Sequence, residues 1–173
     1  MSGDLDRSAA TRRGRSMLGE RLGGFIYGTI VVLAVLVAGA RAFPHEPGHI
    51  AILVVVSSAV FWLAHVYAHA LAHSVAQDVH LSLAELRRIA RHEAAIMEAT
   101  VPPVAALLLG ASGVLSSKTS IWTAFVLGLV VLVVEGIVYA RAERYGLLGT
   151  LAVVGTNLGL GVVLVALKVL VTH

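Results

Sequence analysis

The chain of 173 residues contains no cysteine, which removes disulfides, thiolate metal sites and cysteine nucleophiles together. Charge is scarce too: Asp, Glu, Lys and Arg make up 13% of the residues, and only two of them are lysine. A soluble domain carries about 25%, so this composition excludes one. Four prolines, Pro44, Pro47, Pro102 and Pro103, leave long stretches with nothing to break a helix. No nucleic-acid-reading module, no His-Glu-x-x-His and no paired Glu-x-x-His is present, so a metalloprotease-like or ferritin-like centre has no motif behind it. No internal repeat is visible.

What remains is apolar. Hydrophobic residues make up 58% of the chain, and the mean hydropathy is +0.88. Five runs approach or exceed the roughly 20 residues that cross a hydrocarbon core about 30 Å thick: Gly23–Ala40, Ile50–His73, Ala94–Leu115, Ile121–Ala140 and Leu147–Val171. The expected fold is all-α, a polytopic membrane bundle of five transmembrane helices. Residues 1–20 form a basic cytoplasmic tail and residues 21–173 one domain, in which short connections make successive helices antiparallel neighbours.

The basic residues orient the bundle. Arg7, Arg12, Arg13, Arg15, Arg21, Arg87, Arg88, Arg91, Arg141 and Arg144 fall on the N-terminal side of the membrane, while only Arg41, Lys118 and Lys168 fall on the other. Such an asymmetry over short loops predicts N-inside and C-outside. It also accounts for a pI near 9.7 through the inner anionic lipid surface, with no call for nucleic acid. The arginine bias in an Ala-, Val-, Leu- and Gly-rich chain points to a bacterial plasma membrane. A basic leader followed by Phe25–Val37 also has the outline of a signal peptide. Asp4, Asp6 and Glu20 in that leader, and the missing apolar pair after Arg12-Arg13, favour a retained span.

Punctuation along the chain is sparse. Gly23, Gly24 and Gly28 on the first span, and Gly155 and Gly159 on the last, offer close helix packing, within one copy or between copies. Phe43-Pro44-His45-Glu46-Pro47 reads as a tight outer turn. Ser82-Leu83-Ala84-Glu85 is a capping box that starts a helix near Leu83. With Leu83, Leu86, Ile89 and Ala90 on one side and Arg87, Arg88 and Arg91 elsewhere, that helix suits the headgroup level. Pro102-Pro103 predicts a kink in the third span.

Polar residues inside these runs define the candidate site. At 100° per residue, His65, His69 and His73 fall within an arc of about 80° that also holds Ser58, Trp62 and His80. Measured from the inner helix ends at about 1.5 Å per residue, Tyr27, His65, His69, Glu98, Glu135 and Asn157 share the inner half of the bundle. Burying two carboxyls in hydrocarbon costs roughly 2.5–3.5 kcal/mol each, more than packing alone calls for. Protonated carboxyls, carboxylate–imidazolium pairs, or a cation held by His65, His69, His73, Glu98 and Glu135 would each resolve the cost. Imidazole with carboxylate suits Zn²⁺, Mn²⁺ or Fe²⁺. A haem between helices would need a facing histidine, and only His92 near the surface offers one, which disfavours haem.

The stretch Phe61-Trp62-Leu63-Ala64-His65-Val66-Tyr67-Ala68-His69, with Arg91-His92-Glu93 and Val101-Pro102-Pro103, resembles a loose group of bacterial multi-pass integral membrane proteins of no known activity. The resemblance implies a membrane fold and carries over no functional residue. The expected function is conduction or exchange of protons, or of a divalent cation, through Glu98, Glu135, His65, His69, Tyr27 and Asn157. Five helices are few for a transport path, so a homo-oligomer or a partner membrane protein is expected. An accessory subunit with the same residues as a buried polar network is the alternative, and a membrane-embedded metalloenzyme the third.

Overall fold

A computed structural model describes the backbone of residues 2–77 and 82–171, and the side chains of residues 19, 21–75, 82–163 and 166. His80 and the side chain of Lys168, both singled out in the sequence, lie outside that set. Every regular element among the described residues is an α-helix: α1 Ser2–Ala42, α2 Pro47–Gln77, α3 Leu83–His92, α4 Ala95–Glu98, α5 Val101–Ala111, α6 Ser117–Ala142 and α7 Leu147–Val171.

Three stretches are long and apolar enough to cross a membrane, Arg21–Ala42, Pro47–Val75 and Ser117–Ala142, with mean hydropathies of 2.2, 2.2 and 2.5. Leu83–Glu98 and Val101–Ala111 reach that length only when taken together across a 52° bend, as in a broken span or a re-entrant segment. The described apolar part of α7, Leu147–Val163, is shorter.

The leader belongs to α1, which runs as helix from Ser2. Its Ala, Arg, Leu, Met and Glu are good helix formers, and extension from an existing helix needs no new nucleus. One expectation changes: the third span is not one kinked helix over 94–115, because α4 ends at Glu98 and α5 begins at Val101. Pro102 and Pro103 then sit in the first turn of α5, where a missing N–H costs nothing.

α1 is the hub, packing against α2, α4, α6 and α7, while α5 lies between α2 and α6. Fully buried Val32, Leu33, Leu36, Ile50, Val54, Leu107, Phe125 and Leu132 form the core. The α1–α4 contact depends on Gly28: a Cβ there would stand 2.9 Å from both Cα and O of Ile96, which is backbone and cannot give way. Among the described residues nothing lies within 4 Å of a Cβ built on Gly23, Gly155 or Gly159, so these residues do not make the close packing expected of the three glycines.

The helix ends follow local chemistry. The capping box at Ser82 forms as the sequence predicts, with the Ser82 hydroxyl accepting from Glu85 N–H and the Glu85 carboxylate accepting from Ser82 N–H. α6 ends in a Schellman motif, in which Tyr145 N–H donates to Ala140 O at 2.9 Å and Arg144 N–H to Arg141 O at 3.2 Å. The residue forced into the left-handed region there is Arg144, with φ +56°.

Candidate functional site

The histidine ladder is written by sequence spacing on α2, and tertiary folding supplies its partners. α3 starts at its capping box and turns back along α2, where the indole N–H of Trp62 donates to Ala90 O at 3.1 Å. α4 then buries Ala95 and Ile96, with Ile96 packed against Gly28 of α1. The turn between these two helices carries Glu93, whose side chain is 10% exposed.

Glu93 lies against the ladder. Its Oε1 is 2.9 Å from His69 Nδ1 and 3.7 Å from His92 Nδ1, so one carboxylate oxygen faces two imidazoles. One turn toward the end of α2, His73 Nε2 stands 3.5 Å from Glu85 Oε1. That distance makes a charge contact and not a hydrogen bond, and the Nε2 atom is otherwise buried without a hydrogen-bond partner. One turn the other way, His65 Nδ1 lies 3.2 Å from Phe61 O. A carbonyl only accepts, so Nδ1 carries the hydrogen and Nε2 is the basic nitrogen. The Tyr27 ring packs on His65 at 4.8 Å, and His65 meets His69 edge-on at 6.3 Å.

Together these groups line an open cleft of about 800 Å³ between α1, α2 and the α3–α4 arm, with Gly23 and Gly24 on its α1 wall and Arg88 at its rim. In the capped first turn of α3, a helix with no buried residue, Glu85 is held below the usual carboxylate range, first by the backbone N–H of Ser82, then by its hydroxyl, and less by His73.

The remaining residues of the expected cluster go elsewhere. Glu98 turns away from the histidines and pairs with Arg21, whose guanidinium donates to both carboxylate oxygens at 3.1 and 3.0 Å. Both side chains are about half exposed. Glu135 of α6 is buried, with Thr29 Oγ1 of α1 3.3 Å from its Oε1. Asn157 is also buried, its amide directed at Leu132 O at 3.5 Å. Tyr27 and Thr29 are two residues apart on α1 and so about 200° apart around it, one on the cleft and the other on Glu135. The structure thus gathers Tyr27, His65, His69 and His73, and separates them from Glu98, Glu135 and Asn157.

The carboxylate that serves the ladder, Glu93, was not among the residues expected from sequence. The signal for it lay in the capping box together with the apolar side of α3, which needs a surface to cover. Among the described residues no group of three or more His, Asp or Glu side chains is arranged to hold a metal ion, so the set His65, His69, His73, Glu98 and Glu135 is not gathered as a ligand sphere. No protein-family model, no curated protein and no solved structure matches this chain.

Proposed function

We propose that the protein is a multi-pass membrane protein that exchanges protons at the cleft between α1, α2 and the α3–α4 arm, with His69, Glu93 and His92 as the exchanging groups and His65 beside them. The observation that carries this reading is the shared Glu93 oxygen, nearly closed off from solvent yet facing two imidazoles beside an open cleft. Imidazole changes charge near neutral pH, and a carboxylate that accepts from it fixes the ring and stabilises its charged form. The proposed setting is a bacterial plasma membrane, with five spans, the N-terminus inside and the cleft at the inner surface, where Arg87, Arg88 and Arg91 of α3 meet anionic lipid.

Beyond the cleft the buried hydrophobic cluster of Val32, Leu33, Leu36, Ile50, Val54, Leu107 and Phe125 is interrupted by a few buried polar side chains, Ser58, Ser120, Glu135 and Asn157 among them. Passage through the bilayer is assigned to a homo-oligomer or to a partner subunit. The divalent-cation variant is left without a gathered ligand set.

A second reading is an accessory membrane subunit. It is favoured by the three polar ties between α2 and α3 or its following turn, Trp62–Ala90, His69–Glu93 and His73–Glu85, which would fix helix register.

Proteoliposomes with an imposed pH gradient and an internal pH dye separate the two. Proton exchange predicts gradient decay with the wild type and its loss in Glu93→Gln with the fold intact. A register-fixing role predicts no decay with either, and a lower unfolding temperature for the variant.

A further inference from the structure

Glu135 takes no part in the cleft, and its surroundings count hydrogens in a way the cleft does not. It is 6% exposed, on α6, with its side chain against α1. Thr29 Oγ1 lies 3.3 Å from its Oε1 and 3.0 Å from the carbonyl oxygen of Phe25. Oε2 is buried without a hydrogen-bond partner. The facing group from α1 is thus Thr29. Asn157 of α7 lies near the neighbouring turn of α6, and its amide points to Leu132 O. Tyr139, one turn along α6, is turned to the Tyr145 ring. Among the described residues no Arg, Lys or His side chain pairs with Glu135.

A hydroxyl has one hydrogen. If Glu135 were ionised, the Thr29 hydrogen would be shared between a carboxylate and the nearer Phe25 carbonyl, and a buried charge would have at best a fraction of one donor. If Glu135 carries a proton, each hydrogen has one acceptor: the acid O–H donates to Thr29 Oγ1, and Thr29 O–H donates to Phe25 O. Oε2 is then an ordinary carbonyl oxygen, and leaving such an oxygen without a donor costs far less than leaving a charge.

We infer that Glu135 is a neutral carboxylic acid and forms a second proton-binding site, buried between α1 and α6, with Thr29 as the acceptor of its proton. This site is independent of the cleft and stands whether or not the cleft exchanges protons.

Infrared spectroscopy of the full-length, detergent-purified protein at neutral pH tests the inference, with wild type, Glu135→Gln, Thr29→Val and wild type carrying ¹³C-carboxyl glutamate. The C=O stretch of a protonated carboxyl is expected in the wild type. It should move to lower frequency with the label, vanish in Glu135→Gln, shift in Thr29→Val and persist when NaCl is added at constant pH. The label assigns the band to glutamate, and the shift in Thr29→Val ties it to Glu135 even where Glu135→Gln fails to fold. Label confined to carboxylate bands, or a C=O band that survives in folded Glu135→Gln, would overturn the inference. Loss of the band on adding sodium would overturn it as well, by putting a metal cation where the proton is assigned.

Discussion

His69 Nδ1 and Glu93 Oε1 meet at 2.9 Å across the crossing of α2 with the α3–α4 turn, the imidazole 58% exposed and the carboxylate 10%. One partner reaches solvent while the other is nearly sealed, so a proton arriving at the ring has a fixed acceptor behind it.

Replacing that acceptor is the most direct perturbation. Glu93→Gln keeps the shape and removes the charge, and is expected to slow gradient decay in proteoliposomes by about a hundredfold, the scale of a lost acid–base group. Glu93→Ala should add a stability loss of about 1–3 kcal/mol, read by thermal unfolding in detergent.

Glu98 provides the contrast. Its pairing with Arg21 is half exposed, and exposed pairs contribute about 0–1 kcal/mol. Glu98→Gln should leave both flux and unfolding temperature close to wild type. Flux lost as deeply as in Glu93→Gln would move the proton site to Glu98.

Gly28→Ala brings a Cβ to 2.9 Å from Ile96 backbone, so α4 has to shift. The expected cost is about 1–3 kcal/mol, with a matching loss of flux because α4 anchors the turn that carries Glu93. Gly155→Ala, which meets nothing within 4 Å, should leave unfolding of the isolated chain unchanged. A drop in oligomer content in that variant alone would identify the α7 face as a contact between copies.

Acid should loosen α3 first. Glu85 titrates below the usual carboxylate range because the Ser82 N–H and hydroxyl favour its charged form. A lowered folded pKa means that this stabilisation is complete above the unfolded value and disappears as pH falls through the folded one. Amide hydrogen exchange at Leu83–His92 should therefore accelerate only below the ordinary carboxylate range. Ser82→Ala, worth about 1 kcal/mol of helix capping, should accelerate it at every pH.

Arg144 holds a left-handed conformation at the end of α6, a strain of roughly 1–2 kcal/mol for a residue with a Cβ. Arg144→Gly is expected to raise stability by about 1 kcal/mol in detergent. It also removes a charge from the set proposed to lie inside, so a topology reporter at the C-terminus should be read beside the unfolding curve.

The sequence exposes how far along each helix a residue sits, and hides which way it points. Run length and hydropathy locate α1, α2 and α6, and the Ser82–Glu85 spacing locates the start of α3. Spacing along α2 puts His65, His69 and His73 on one side, as found. The azimuth of one helix against another is a property of packing. Glu98 lies near the depth of the histidines and turns to Arg21, while Glu135 faces the far side of α1 from Tyr27. Glu93 was obscured for a related reason: the turn at Glu93-Ala94 has no proline or glycine to announce it, and exists because α3 folds back onto α2.

The break at Ala99-Thr100 bears on how the chain is made. α5 has 11 residues, a length of about 16 Å at 1.5 Å per residue, roughly half of a hydrocarbon core about 30 Å thick. Such a piece is a weak signal for insertion on its own, and the backbone at the break needs protein around it instead of lipid; Ala99 and Thr100 are indeed buried. The seat for α4 on Gly28 is synthesised some seventy residues earlier than Ile96. In the proposed membrane setting, the broken segment is expected to enter the bilayer by docking onto helices already laid down.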